Sequence, residues 1–337
     1  MGILSSKATP MKMFQRRITY LFLLGLLVCS VIGACGRSVN HPVKNSEQAT
    51  PECRVVAHVM GKTCIPHNPK RVVTISHFAL ANALALGIKP IGSTSASSYS
   101  QDNFPPYLRR EIGDIPVLGS QGMPNLEKIS LLKPDLIISW DLAVRSIYPL
   151  LSQISPTIML RFGETPDWKD FFNLMAEALG KQDVAQQEWD RYYQRIEKLK
   201  LALKNRYVDK TISVITLAED STVQVWGRNS FAGSILKDIG LKRPKSQDID
   251  VPNGLVYYPL SEEKLGEMDA DILFIQARED VAAEASKKWQ QDPLWRSLKA
   301  VQQRQVYVVD VYAWIGSNLI AADAVIDDLF KYLVDEQ

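Results

Sequence analysis

The feature that most limits what this chain can fold into is a break in its own rhythm. From residue 71 onward, short aliphatic runs alternate with helical stretches, but over residues 168–205 turn chemistry almost vanishes. Val72-Val-Thr-Ile75 reads as a buried strand and residues 78–86 as a helix stopped by Gly87. Pro90-Ile-Gly-Ser93, Val117-Leu118, Leu136-Ile-Ile-Ser139 and Thr157-Ile-Met-Leu160 read as further strands, with a helix over 125–132 between them. Such alternation predicts a largely parallel sheet with helices on both faces. Across 168–205, apolar residues recur at Trp168, Phe171, Phe172, Met175 and Leu179, then at Trp189, Tyr192, Tyr193, Ile196, Leu199 and Leu203. That is helical spacing with one wide apolar face, broken only by Gly180. A helix over 184–205 alone would span about 33 Å, enough to bridge two lobes. Afterwards the alternation resumes, with strands over 211–217, 272–275 and 306–309 and helices over 230–239, 262–268, 294–300 and 319–333. The expected fold class is α/β: two lobes with mostly parallel sheets, joined by a single long helix. The expected bounds are 52–166 for the N-terminal lobe, 167–205 for the linking helix and 206–337 for the C-terminal lobe.

The start of the chain obeys different rules. Arg16-Arg17 precede an apolar run from Ile18 to Ile32, which is the layout of an export signal. The run ends in Ile32-Gly33-Ala34-Cys35, which resembles the bacterial lipobox. Residues 1–34 are therefore expected to be a lipoprotein signal peptide and Cys35 the lipidated first residue of the mature chain. The arginine pair also suits twin-arginine export, but Thr19, Tyr20 and Leu21 match that motif poorly. Residues 35–51 are mostly polar and read as a flexible tether between membrane and folded body. Cys53 and Cys64 are then the remaining cysteines, since Cys29 leaves with the signal. Two cysteines in an exported body suggest a disulfide. They flank a hairpin pattern turning near Met60-Gly61, which does not set them directly opposite one another.

Composition narrows the function. The 337 residues are 46% hydrophobic and 23% charged, which excludes a disordered chain. The net charge of +2 is set by Lys7, Lys12, Arg16 and Arg17; taking these four from 39 basic residues leaves 35 against 37 acidic ones, or −2 for the body. A near-neutral body offers no clustered charge for nucleic acid. Enzyme motifs are missing too: there is no Gly-x-Ser-x-Gly, no Gly-x4-Gly-Lys-Ser/Thr and no His-Glu-x-x-His. Gly227-Arg-Asn-Ser230 reads as a helix N-cap by Ser230, not a nucleophile turn. No enzyme activity and no cofactor are expected. A resident metal site is not expected either: the histidines are His41, His58, His67 and His77, none of them in the second lobe. Tyr257-Tyr258 reads as packing or cleft lining, with direct ligation of bare ferric ion the weaker alternative.

Several motifs, in order, resemble the iron-siderophore and cobalamin substrate-binding proteins of ABC importers. They are Asn68-Pro-Lys-Arg-Val-Val-Thr-Ile75, Ala83-Leu-Ala-Leu-Gly-Ile-Lys-Pro-Ile-Gly92 and Gly122-Met-Pro-Asn-Leu-Glu-Lys-Ile-Ser-Leu-Leu-Lys-Pro-Asp-Leu-Ile-Ile138. Trp226-Gly-Arg-Asn-Ser-Phe-Ala-Gly-Ser-Ile-Leu-Lys-Asp-Ile-Gly-Leu241, Ser261-Glu-Glu-Lys-Leu-Gly-Glu-Met-Asp-Ala-Asp-Ile-Leu-Phe-Ile275 and the stretch over 295–333 continue the match. The resemblance implies a ligand cleft between the lobes and a periplasmic protein, lipid-anchored to the cell membrane. Its partners would be a permease and that permease's ATPase. It also implies docking to the permease through Glu127 and Glu263, one acidic residue per lobe.

The ligand best suited to these residues is a ferric chelate, a siderophore or ferric citrate; haem, cobalamin and bare ferric ion are the alternatives. Chelate oxygens suit arginine forks, and aromatic rings cover chelator arms. Arg161, Arg228 and Arg278 each follow a strand, as do Trp140, Tyr312 and Trp314. Trp226 ends a strand, and Tyr99 and Gln121 sit in loops at the same expected end. His77 is a further candidate, with a helix-start role equally open.

Overall fold

The computed structural model describes residues 53–95, 104–140, 144–160, 167–217, 222–252, 255–278, 281–282 and 289–335. The expected signal peptide, tether and Cys35 lie outside these residues, as do Tyr99 and Arg161. The described chain opens with an antiparallel hairpin, β1 (Cys53–His58) and β2 (Gly61–Pro66). Cys53 lies opposite Pro66 and Cys64 opposite Val55, so the Cys53–Cys64 disulfide runs diagonally across the ladder, its Cα atoms 5.5 Å apart.

The first sheet holds six strands: β3 (Val72–Ile75), β4 (Gly92–Ser95), β5 (Val117–Ser120), β6 (Met123–Pro124), β7 (Leu136–Trp140) and β8 (Thr157–Leu160), ordered β6-β5-β4-β3-β7-β8. All neighbours are parallel except β5 and β6. Both faces of β3 and β8 are buried, which is why these strands read as unbroken apolar runs. Gly92 is needed at β4 because a Cβ there would lie 2.7 Å from Leu118 and 2.8 Å from Leu132. The strands alternate with helices α1 (His77–Ala85), α2 (Leu126–Leu131) and α3 (Tyr148–Ile154). Ser76 and Asn125 start the first two by accepting from Ala79 N–H and Lys128 N–H.

Two helices, not one, follow. The expected linking helix over 167–205 is α4 (Trp168–Leu179) and α5 (Gln182–Leu203), separated at Gly180, whose φ of 65° is left-handed. The apolar period continues across the break, which is why spacing alone hides it. A Cβ on Gly180 would also meet the guanidinium of Arg54 at 2.8 Å. Helix α5, with 22 residues, is about 33 Å long.

The second sheet has five strands: β9 (Ile212–Leu217), β10 (Val223–Trp226), β11 (Tyr257–Leu260), β12 (Ile272–Ala277) and β13 (Val306–Asp310), ordered β11-β10-β9-β12-β13. Strands β9, β12 and β13 are parallel, whereas β10 is antiparallel to both β9 and β11. Helix α6 (Phe231–Ile239) begins at Ser230, which accepts from Gly233 N–H as the sequence predicts. Residues 262–268 form a 3-10 turn, and the helix expected over 294–300 is two short pieces broken at Leu298. Helix α7 (Leu319–Phe330) closes the fold.

The core explains how the lobes hold together. One apolar cluster runs from Val56 and Ile138 through Phe172 and Tyr192 to Ile212, Phe274 and Leu333. It therefore joins one face of each sheet through α4, α5 and α7. The outer face of each sheet has its own cluster, Val73 to Met159 in the first and Ile215 to Ala300 in the second.

Candidate ligand-binding cleft

Chain direction decides which residues share an end. In the first lobe the carboxyl ends of β3, β5 and β7 deliver His77, Gln121 and Trp140. Open parallel sheets bind ligands at this end. His77 Nδ1 lies 3.1 Å from Gln121 Oε1, so an amide oxygen that only accepts fixes the proton on Nδ1 and leaves Nε2 as an acceptor. The ring packs on Phe78 with centroids 4.0 Å apart, and Phe78 meets the Trp140 ring edge-on at 5.2 Å. Burial pushes the His77 pKa down to about 4, the Gln121 bond opposing this in part, so the imidazole is neutral at physiological pH. Gln121 and Trp140 are both half-buried, leaving polar and aromatic surface beside the strand ends.

In the second lobe the carboxyl ends belong to β9, β12 and β13. Arg278, half-buried, directly follows β12, and Tyr312 sits in the short helix Val311–Trp314 after β13. Beneath them Thr216 and Gln276, paired in register, bond through Oγ1 and Oε1 at 2.7 Å. Gln276 Nε2 is buried without a partner.

Three of the residues expected to line the cleft belong elsewhere in this geometry. Arg228 follows β10, and because β10 runs antiparallel its last residues lie toward the amino end of β9, away from the cleft. There the guanidinium forms an exposed fork with Asp250, at 2.9 and 2.7 Å. Trp226 is 8% exposed, donates to Thr216 Oγ1 at 2.7 Å and packs on Tyr257, so it braces the sheet from within. Trp314 is wholly buried, donating to Asp328 Oδ2 at 2.8 Å and packing on Phe274. Tyr258 donates to the Ser246 carbonyl, a packing role. Among the described residues no group of three or more His, Cys, Asp or Glu side chains is placed to hold a metal ion.

Contacts that tie the lobes beside the cleft escape a reading of the sequence. Asn318 caps α7 and donates to the Tyr107 hydroxyl at 2.9 Å, and Asn82 of α1 donates to the Ser317 carbonyl at 3.4 Å. Burial drives the Tyr107 pKa upward, so this phenol stays neutral. The N-cap signal of Asn318 is legible in sequence, but its long-range partner is not.

The expected docking residues are both exposed: Glu127 in the first turn of α2, Glu263 in the 3-10 turn Glu262–Met268. No helix among the described residues is long and apolar enough to cross a membrane.

Known proteins resemble this chain in sequence and fold. Probable siderophore-binding lipoprotein YfiY of Bacillus subtilis is 33% identical over 332 residues, covering 95% of this chain and 99% of its own. The Fe(3+)-citrate-binding protein YfmC of the same organism is 31% identical over 312 residues, covering 90% of this chain and 93% of its own. Among solved structures, Staphylococcus aureus SirA complexed with staphyloferrin B superposes with a TM-score of 0.73 at 31% identity, over 84% of this chain and 100% of that one. The family model of the periplasmic binding proteins matches residues 72–313, from the first strand of one sheet to just beyond the last strand of the other, and the chain belongs to that family.

Proposed function

We propose that this protein is the substrate-binding component of an ABC importer, capturing a ferric siderophore or ferric citrate complex between its lobes and delivering it to a permease. The observation that carries the reading is the wall built by His77, Phe78, Gln121 and Trp140 at the strand ends. It offers aromatic cover and neutral hydrogen-bonding groups, which suits a bulky chelate better than a naked ion. Relatives named for siderophore and Fe(3+)-citrate binding support the same ligand class. Arg161 and Arg278 supply charge to chelate oxygens, and Tyr99 and Tyr312 extend the aromatic lining. The protein binds without catalysing a reaction and carries no cofactor of its own; the iron is cargo.

Intrinsic tryptophan fluorescence tests this directly. Ferric citrate or a ferric hydroxamate should quench it saturably, and ferric or zinc salts should not. Arg278→Ala and Arg161→Ala should each weaken binding about ten- to a hundredfold, the usual range for a charge-assisted contact, with melting temperature nearly unchanged. Quenching by haem or cobalamin but by no ferric chelate would overturn the ligand assignment.

In this reading the protein works outside the cytoplasmic membrane, held by lipid on Cys35, while Glu127 and Glu263 meet the permease. Mass spectrometry of membrane-extracted protein should find an acylated Cys35 at the mature N-terminus; an unmodified mature end elsewhere would remove the anchor.

A further inference from the structure

A cavity of about 1000 Å³ opens at the opposite end of the second lobe from the cleft. Thr211, which precedes β9, and Arg228, which follows the antiparallel β10, both line it, so it sits at the amino end of β9. Its walls carry Lys169, Arg228, Lys237, Lys242, Arg243 and Lys245 against Asp167, Asp238, Asp248 and Asp250. Most of the acids are already engaged. Asp238 pairs with Lys169 at 2.6 Å, Asp250 with Arg228, and Asp167 caps α4 through Lys169 N–H.

Arg243 is left over. It is 9% exposed, and no carboxylate among the described residues bonds to it; Asp248 acts on it only through space. Its guanidinium donates to the carbonyls of Trp226 and Gly227 at 2.8 and 3.2 Å and to Gln247 Oε1 at 2.5 Å, while its Nε–H is buried without a partner. Burial pushes its pKa down to about 10, the response of a cation lacking a bonded counter-charge. It also lies against the first turn of α6: a Cβ on Gly233 would come within 2.8 Å of Nη1. A helix of nine residues presents positive potential at that end, so cation and dipole reinforce one another. A buried charge in this setting calls for an anion.

We propose that this cavity is a second binding site, taking a small soluble oxyanion, phosphate or carboxylate, between Arg243 at its floor and Lys237 and Lys245 at its rim. The site is independent of the chelate cleft.

The test is the melting temperature of the purified full chain in sodium phosphate, against sodium chloride of equal ionic strength. A saturable rise specific to phosphate is expected. Lys237→Ala with Lys245→Ala should raise the half-saturating phosphate concentration about tenfold while leaving ferric chelate binding unchanged. Trp140→Ala should leave the phosphate response intact. Equal responses to phosphate and chloride would overturn the site and reduce Arg243 to a clamp on β10 carbonyls. So would a double variant that responds like wild type, or loss of the response in Trp140→Ala, which would put the anion in the cleft. Because both lysines are on the surface, the outcome does not depend on whether an Arg243 variant folds.

Discussion

His77 shows how one residue's surroundings set its chemistry. Its pKa falls to about 4 because the half-buried ring, packed on Phe78, is poorly hydrated. The unfolded chain, with an ordinary pKa near 6.5, therefore takes up a proton first on acidification. Stability should fall as pH drops from about 6.5 to about 4, with a slope approaching 1.4 kcal/mol per pH unit, and level off below. Urea titrations at several pH values should show that slope in the wild type and its loss in His77→Gln. The same neutrality predicts chelate affinity without a His77 inflection between pH 5 and 8. Legibility also varies residue by residue. Gln121 and Trp140 follow parallel strands, so reading forward to the strand end found them. Arg228 misled because its strand runs the other way. The signal was present: only residues 218–222 separate β9 from β10, too few for the crossover that a parallel pair requires.

Among the elements, α5 and α7 are joined by charge as well as by apolar packing. Arg195 bonds Asp323 Oδ1 at 2.9 Å and also pairs with Asp327, and Arg191 bonds the other oxygen of Asp323. Asp323, with 22% of its side chain exposed, is the shared acceptor. Asp323→Ala should cost about 1–2 kcal/mol, after allowance for solvent screening of the more exposed Arg191. Calorimetry should register this as a fall of a few degrees in melting temperature. Arg191→Ala should cost less, because that arginine is 45% exposed. None of this ladder was legible, since pairing across 128 or 132 residues depends on which helices become neighbours. The helices themselves were legible from period, and Gly180 marked the break between them; what the period did not give is that left-handed Gly180 ends α4 outright, because the apolar face continues beyond it.

For the whole molecule, the shared core bears on motion. A cluster running through both sheets and helices α1, α4, α5, α6 and α7, with Tyr107–Asn318 as a further tie, leaves little freedom for the lobes to rotate. Small-angle scattering should find the radius of gyration changed by less than about 1 Å when ferric chelate is added. A substantially larger contraction would mean that the core yields at the linker. The exposed acids make the complementary prediction. Glu127→Lys with Glu263→Lys should preserve chelate affinity and abolish cellular uptake; normal uptake at normal expression would refute docking through this pair.

Helix α7 carries an implication about timing. It lies near the end of the chain, yet its Val325, Ile326 and Leu329 belong to the same cluster as Val56 and Ile65 of the opening hairpin. Just after it, the Leu333 carbonyl accepts from the Tyr207 hydroxyl at 2.9 Å, and just before it Asn318 reaches Tyr107. An emerging chain can pair its first strands early, but it leaves a greasy flank uncovered until the last helix arrives. Nascent chains stopped short of Leu319 should therefore be protease-sensitive in both halves, so that the emergence of α7, and not assembly of either lobe, sets the moment when the protein becomes durable.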